Sequence, residues 1–257
     1  MRKKYKIIII VLVLISSSLY ILNNLNNGKY ILKEYNPSGQ LLGTNEYILR
    51  NGDTVLQGKF VNYNDKGVKI SEGQFVENEP YGECIYYNEK GDKQVVHFRK
   101  NSSVTLESTF YNPKGFIEKY ILYDDLGDPA FIISFDEKGA TKYDGHFQVE
   151  IYQYKYANSR KFNINDRQYL KVGDTLKYSY LIANIPNAKR SFVIENLDID
   201  NSKAKRILKR VPPAQIDIKE VLTQKGKNTI RSIVKYEFDD NSTPTFTDTL
   251  LFDVNVH

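Results

Sequence analysis

Tryptophan is absent from this chain of 257 residues, and cysteine and methionine occur once each. The lone cysteine, Cys84, excludes an intramolecular disulfide, so the fold must hold by burial, which domains of about 110 residues can manage. Its place in a short apolar stretch reads as a small buried hydrophobe rather than a reactive thiol. Histidine is nearly as scarce, with only His97, His146 and His257. Cys84 and His97 fall on neighbouring strand candidates, but no orienting third group or oxyanion donor accompanies them. Phosphate loops, dinucleotide fingerprints and nucleophile elbows are missing. Asp198-Ile-Asp200-Asn-Ser202 imitates the start of a calcium loop, yet Lys209 stands where the bidentate glutamate belongs and the central glycine is lacking. Asp124, Asp125 and Asp128 crowd Gly127, where acidic side chains serve the turn itself. The expectation is therefore a non-enzyme, with no catalytic residue, metal or cofactor.

What the chain has in quantity is tyrosine, 20 residues, with 13 phenylalanines. Rings with one polar edge suit half-buried pleated surfaces, which points to β structure. Charge is unevenly spread. Residues 1–29 carry Arg2, Lys3, Lys4, Lys6 and Lys29 with no acid; residues 30–146 hold 13 basic and 18 acidic groups; residues 147–257 hold 18 and 13. The sign change between the two long segments marks a boundary between them. The basic excess of the last segment is dispersed and has no nucleic-acid signature, so no nucleic-acid partner is expected.

The basic start precedes an apolar run from Ile7 to Leu22, the pattern of an export signal. Two readings stand. Ile7–Ile15 with Ser16 and Ser18 behind it suits a cleavable signal peptide. The whole run suits an uncleaved anchor, since sixteen helical residues span roughly 24 Å, which thinning and lysine snorkelling can reconcile with the bilayer. The anchor is the preferred expectation. It implies an N-terminal hydrophobic helix in the membrane, with residues after about 24 outside the cytoplasm; cleavage would give a secreted or periplasmic protein. No cysteine follows the run, which excludes a lipoprotein anchor.

From residue 30 a turn motif recurs, an aromatic, then Asn or Asp, then Gly four positions after the aromatic. It occurs at Tyr35–Gly39, Tyr63–Gly67, Tyr87–Gly91, Tyr111–Gly115, Tyr123–Gly127 and Phe135–Gly139. Four of these glycines, Gly67, Gly91, Gly115 and Gly139, follow a lysine at strict 24-residue spacing, and Phe75 and Tyr123 mark the half-period. The Asn or Asp side chain starts a turn by bonding to backbone ahead of it, and glycine supplies the left-handed residue that closes it. A beat of 12 residues is one strand plus one turn, so 24 residues make a hairpin and residues 30–146 make an antiparallel meander.

Gly73-Gln-Phe-Val-Glu-Asn-Glu-Pro-Tyr-Gly82, followed by Tyr86-Tyr-Asn-Glu-Lys-Gly91, resembles the variant MORN repeat of bacterial YwqK-like proteins. The resemblance covers residues 30–146 and departs from the family pattern in lacking tryptophan and many of the usual glycines. It implies a hairpin-repeat sheet that scaffolds protein or lipid contacts. Its antitoxin label implies an immunity-like role, in which the chain would neutralise one protein partner.

Beyond residue 146 the strand candidates lengthen: Gln148–Tyr156, Asp174–Ala183, Ser191–Ile199, Lys203–Val211, Gln215–Thr223, Thr229–Phe238 and Phe246–Val256. Seven strands in about 110 residues, with turn signals every 8–14, predict an immunoglobulin-like β-sandwich over 147–257. The opening Val172-Gly-Asp-Thr-Leu176 is similar to bacterial surface sandwich domains. The densest charge run, Lys203, Lys205, Arg206, Lys209 and Arg210, reads either as a solvated edge strand or as a contact for a polyanion or acidic partner. The expected function is a non-catalytic envelope protein that displays two β modules for binding a protein or an envelope glycan.

Overall fold

The computed structural model describes residues 28–124, 126–153, 170–240 and 242–257. Among them the regular elements are β-strands in antiparallel ladders, and the one helical piece is a single turn at Asn201–Lys203. The fold is all-β, as the alternation and turn spacing predict. The expected leader, Asp125 and the end of the strand predicted to reach Tyr156 lie outside the described residues. No helix of the described residues is long and apolar enough to cross a membrane. The chain divides into two compact units, one ending at Asp92 and one beginning at Lys93.

The first unit is a meander. Its strands are β1 (Tyr30–Tyr35), β2 (Leu41–Arg50), β3 (Asp53–Tyr63), β4 (Lys69–Val76), the two-residue β5 (Glu79–Pro80) and β6 (Gly82–Tyr87). They pair in the order β1-β2-β3-β4-β6, with β5 folded back on β4. Its core is small. Phe60 packs on Phe75 with ring centres 4.8 Å apart, and Cys84 is fully buried. Gly73 makes room for both: a Cβ there would lie 2.8 Å from the Phe60 ring and 2.9 Å from the Cys84 sulfur.

The predicted turns close as their chemistry requires. Asn36, Asn64, Asn88, Asn112 and Asp124 each donate their N–H to the carbonyl four residues on and accept from the glycine three residues on. Each side-chain oxygen also accepts a backbone N–H two or four residues ahead, as in Asn112 Oδ1 with Lys114 N at 3.0 Å and Phe116 N at 3.1 Å. Gly115, at φ +84°, shows why glycine is needed. The last copy differs. Asp136 faces Gly139 directly, so Glu137 and Lys138 alone form the turn. Two further reversals, at Asn51-Gly52 and Glu77-Asn78, put both central residues at positive φ and carry no mark in the 24-residue beat. The motif tyrosine has a packing role as well. Lys69 lies 4.6 Å over the Tyr87 ring and Lys93 5.1 Å over Tyr111, each lysine two positions after a turn glycine.

The second unit joins the remaining repeats to the sandwich. The repeat strands β7 (Lys93–Arg99), β8 (Thr105–Tyr111), β9 (Ile117–Tyr123), β10 (Pro129–Asp136) and β11 (Gly139–Gly145) run in sequence order. The rest form two sheets. One holds β12 (Gln148–Gln153), β13 (Thr175–Ile182), β16 (Gln215–Val221) and β15 (Lys205–Val211), in that order; the other holds β14 (Ala188–Asn196), β17 (Gly226–Phe238) and β18 (Phe246–Val256). All seven predicted strands form. The sheets share one apolar core with Leu176, Tyr178, Ile218, Ile230 and Val234 at its centre.

The change of pattern at residue 146 is a change of sheet, and the core runs through it. Tyr120, Leu122, Phe131 and Ile133 from β9 and β10 are buried in the same cluster as the sandwich residues. Phe147 joins the two, with its ring 5.7 Å from Phe131, 5.3 Å from Tyr236 and 6.1 Å from Phe246. Burying each such ring contributes about 2–3 kcal/mol. Gly145, at φ +83°, lets the chain leave β11 against the Ala130 carbonyl, where a Cβ would stand 2.2 Å from the oxygen. The seam is latched by Ser242 Oγ on the Lys138 carbonyl at 2.6 Å and Ala140 N on Thr243 Oγ1 at 3.0 Å.

Candidate functional site

The predicted basic run does not act as one patch. Lys203 stands in the short helical turn beside Asp200, 3.9 Å away. The rest is β15, the edge of the four-stranded sheet, and strand alternation divides it between two faces. Arg206, Leu208 and Arg210 pair with Glu220, Ile218 and Ile216, whose side chains point into the sandwich. Arg206 is committed there. Its side chain is 10% exposed and its Nε lies 2.8 Å from Oε2 of Glu220, itself 2% exposed. Nη1 donates to the Ile194 carbonyl of the opposite sheet at 2.7 Å, and the Tyr178 hydroxyl donates to Glu220 at 2.8 Å. Burial, then the neighbouring Glu220 charge, pushes the Tyr178 hydroxyl well up. Arg206 is therefore a buried strut between the sheets and not a binding residue.

The outward face tells a different story. Lys205, Ile207 and Lys209 point away from the core on β15. Ile207 faces Lys219 of β16 directly, and Lys219 faces Lys177 of β13. Neighbouring strands are about 4.8 Å apart and alternate residues about 6.7 Å, so Lys205, Lys209 and Lys219 flank Ile207 and Lys177 lies one strand further on. All four lysines are exposed, and Ile207 is 69% exposed. Among the described residues no carboxylate lies within 4 Å of the ammonium groups of Lys177, Lys205, Lys209 or Lys219, although Asp217 faces Lys209 across the ladder. The acid on this face, Asp217, accepts from Ser179 Oγ at 2.8 Å and Gln215 Nε2 at 2.7 Å. Like charges directly opposite one another destabilise a sheet by a few tenths of a kcal/mol, a cost an anion would remove. Lys177 and Lys219 escaped the sequence reading because they are single lysines on separate strands, 42 positions apart. The signal available was alternation, since each lies on the polar phase of its strand.

No protein-family model matches the chain, and no curated protein matches it. The site must be read from its own geometry.

Other candidates resolve into structure. Cys84 is fully buried in the first unit. His97, in the second, shares a hydrogen bond of 2.7 Å with Ser108 Oγ, and burial, with Arg99 nearby, lowers its pKa. Asp200 caps the short helical turn through Ser202, and Asp198 accepts from Thr229 N at 2.5 Å. Asp124 closes its turn. Among the described residues no cluster of His, Cys, Asp or Glu could hold a metal ion. An open cleft of about 610 Å³ is lined by Phe116, Phe135, Asp136, Glu137, Asp239 and Asp240, among others. Three of its carboxylates are engaged: Glu137 with Lys114 at 2.7 Å, Asp136 with Lys138 N, and Asp240 with Thr243 and Ser242, which hold its pKa at about 2.

One polar cluster was not foreseen. Glu107, on β8, lies at the seam with the sandwich and accepts from the Tyr120 hydroxyl. Asn184 adds Nδ2 contacts at 2.9 and 3.1 Å, and its backbone N–H meets the Tyr120 oxygen at 2.8 Å. Burial raises the Glu107 pKa, and burial beside that carboxylate raises Tyr120 further. This cluster fastens repeat to sandwich.

Proposed function

We propose that this chain is a non-catalytic binding or scaffolding protein of the cell envelope that presents two β modules outside the cytoplasm. The sandwich contacts a polyanionic partner, such as an acidic envelope glycan, through Lys177, Lys205, Lys209 and Lys219 around Ile207. The observation that carries the reading is the position of Lys177 and Lys219. Lysines on an edge strand guard it against pairing, which accounts for Lys205 and Lys209. Lys177 and Lys219 are on inner strands, face each other, and have no such duty. An exposed apolar side chain flanked by cations fits a partner with both charge and carbon surface.

The repeat half serves as the scaffold. Its five Asx-glycine turns support the variant MORN reading, and the sheet order β12-β13-β16-β15 over β14-β17-β18 matches constant-type immunoglobulin sandwiches, which supports an Ig-like module. Membrane attachment rests on the basic start and apolar run of residues 2–22.

The test uses the full chain and an immobilised acidic polysaccharide. Retention should fall as salt rises, and Lys177→Glu with Lys219→Glu should weaken it at least tenfold without changing the unfolding midpoint. Retention unaffected by that double substitution, or by salt, defeats the proposal.

A further inference from the structure

Edge strands are usually guarded, and here most are. β15 carries lysines, β14 has Lys189 and Arg190, and β11 has glycines at both ends with Lys142 and Asp144 between. β1 is different. All six of its residues are exposed, among them Tyr30, Ile31, Leu32 and Tyr35, with Ile31 at 61%. Among the described residues it pairs with β2 on one side and with no strand on the other. The polarity of its backbone follows from the turn. Asn36 directs both its N–H and its C=O at the β2 side, to Gln40 and from Gly39. Backbone groups alternate along a strand, so Glu34, Leu32 and Tyr30 also bond to β2. The N–H and C=O of Ile31, Lys33 and Tyr35 point to the open edge.

We infer that β1 is a self-association edge, pairing antiparallel with β1 of a second copy about a two-fold axis beside Leu32. The register is chosen by the charges. A two-fold axis normal to the sheet keeps every side chain on its own face, so the axis must pass at a residue. At Lys33 it would set two ammonium groups face to face; at Ile31 it would set Lys29 against Lys33; at Glu34 it would oppose two carboxylates. At Tyr30 or Tyr35 only one residue of β1 would face the other copy's β1, and at Leu32 no like charges stand directly opposite. Leu32 then faces Leu32 of the other copy, and Tyr30 faces Glu34. On the opposite face Ile31 lies against the Lys33 stem, and Lys29 lies against the Tyr35 ring. Ile31 and Lys33 face each other as a hydrogen-bonded pair, which their outward backbone groups require. Six-residue strands bury less than the roughly 1,200–2,000 Å² of a stable interface, so the pairing is weak and concentration-dependent.

The geometry makes a sharp test. Residues opposed at Leu32 form a non-hydrogen-bonded pair with Cα atoms about 4.5 Å apart, inside disulfide range. Lys33 meets its own copy only diagonally, at about 7–8 Å, which is out of range. In oxidised membranes holding the full chain, Leu32→Cys should give a covalent dimer, and Lys33→Cys should give at least tenfold less. The chain with Cys84 alone should give none, because that thiol is buried. Adding Ile31→Pro should abolish the Leu32→Cys dimer, since it removes an edge N–H and no bond to β2. No cross-link at Leu32→Cys, equal cross-linking at Lys33→Cys, or a cross-link that survives Ile31→Pro overturns the inference.

Discussion

Arg206 and Glu220 face each other inside the sandwich, Nε to Oε2 at 2.8 Å, with the Tyr178 hydroxyl on the same oxygen. Removing one partner strands the other charge in a dry site, which costs about 3–5 kcal/mol. Arg206→Ala and Glu220→Ala should each lower stability by that order in urea unfolding. Replacing both by Met and Leu should restore most of it, because the pair repays its own desolvation poorly. A single substitution costing under about 1 kcal/mol would show that the pair is hydrated.

That pair also marks how far the sequence could be read. The repeat beat was legible because an Asx residue and a glycine at fixed spacing specify a turn by local chemistry, and Asn36 through Asp124 close accordingly. Strand limits in the sandwich were legible from alternation. What depends on two distant strands was not. Counting charges along β15 placed Arg206 beside Lys205, although alternation sends them to opposite faces. Glu220 occupies the apolar phase of Gln-Ile-Asp-Ile-Lys-Glu-Val, a hint that it needs a buried partner. Nothing local announces that Lys177 would meet Lys219, or that Glu107 would meet Asn184, 77 positions away.

Glu107 gives the seam a pH dependence. Its folded pKa lies above the ordinary 4.5, so the folded chain keeps a proton that the unfolded chain has lost. Stability from this group therefore falls as pH rises from about 4.5 through the raised folded value, and is level on either side. Glu107→Gln does not titrate and keeps the acceptor for Tyr120. Its unfolding midpoint should gain on that of the unaltered chain as pH rises through the window. Parallel midpoints at every pH would show that Glu107 titrates alike in both states.

Two glycines at nearly the same φ should differ sharply. Gly115, at +84°, has no atom within 4 Å of a built Cβ, so Gly115→Ala meets only the left-handed penalty of about 1–2 kcal/mol. Gly145, at +83°, would thrust its Cβ to 2.2 Å from the Ala130 carbonyl oxygen. Backbone cannot yield as a side-chain tip can, so Gly145→Ala should cost several kcal/mol more or leave the second unit unfolded. Equal urea midpoints for the two variants would mean that β11 can leave the sheet by another path.

Cys84 reports the stability of the first unit. Its sulfur is fully buried beside Phe60, so a thiol reagent must wait for that unit to open, and the labelling rate tracks the open population. Gly73→Ala would drive a methyl to 2.9 Å from that sulfur and 2.8 Å from the Phe60 ring. Overpacking of this kind costs about 1–3 kcal/mol, which raises labelling roughly 5- to 150-fold. Fast labelling of Cys84 in the unaltered chain would mean that the Phe60–Gly73–Cys84 contact does not seal the thiol from solvent.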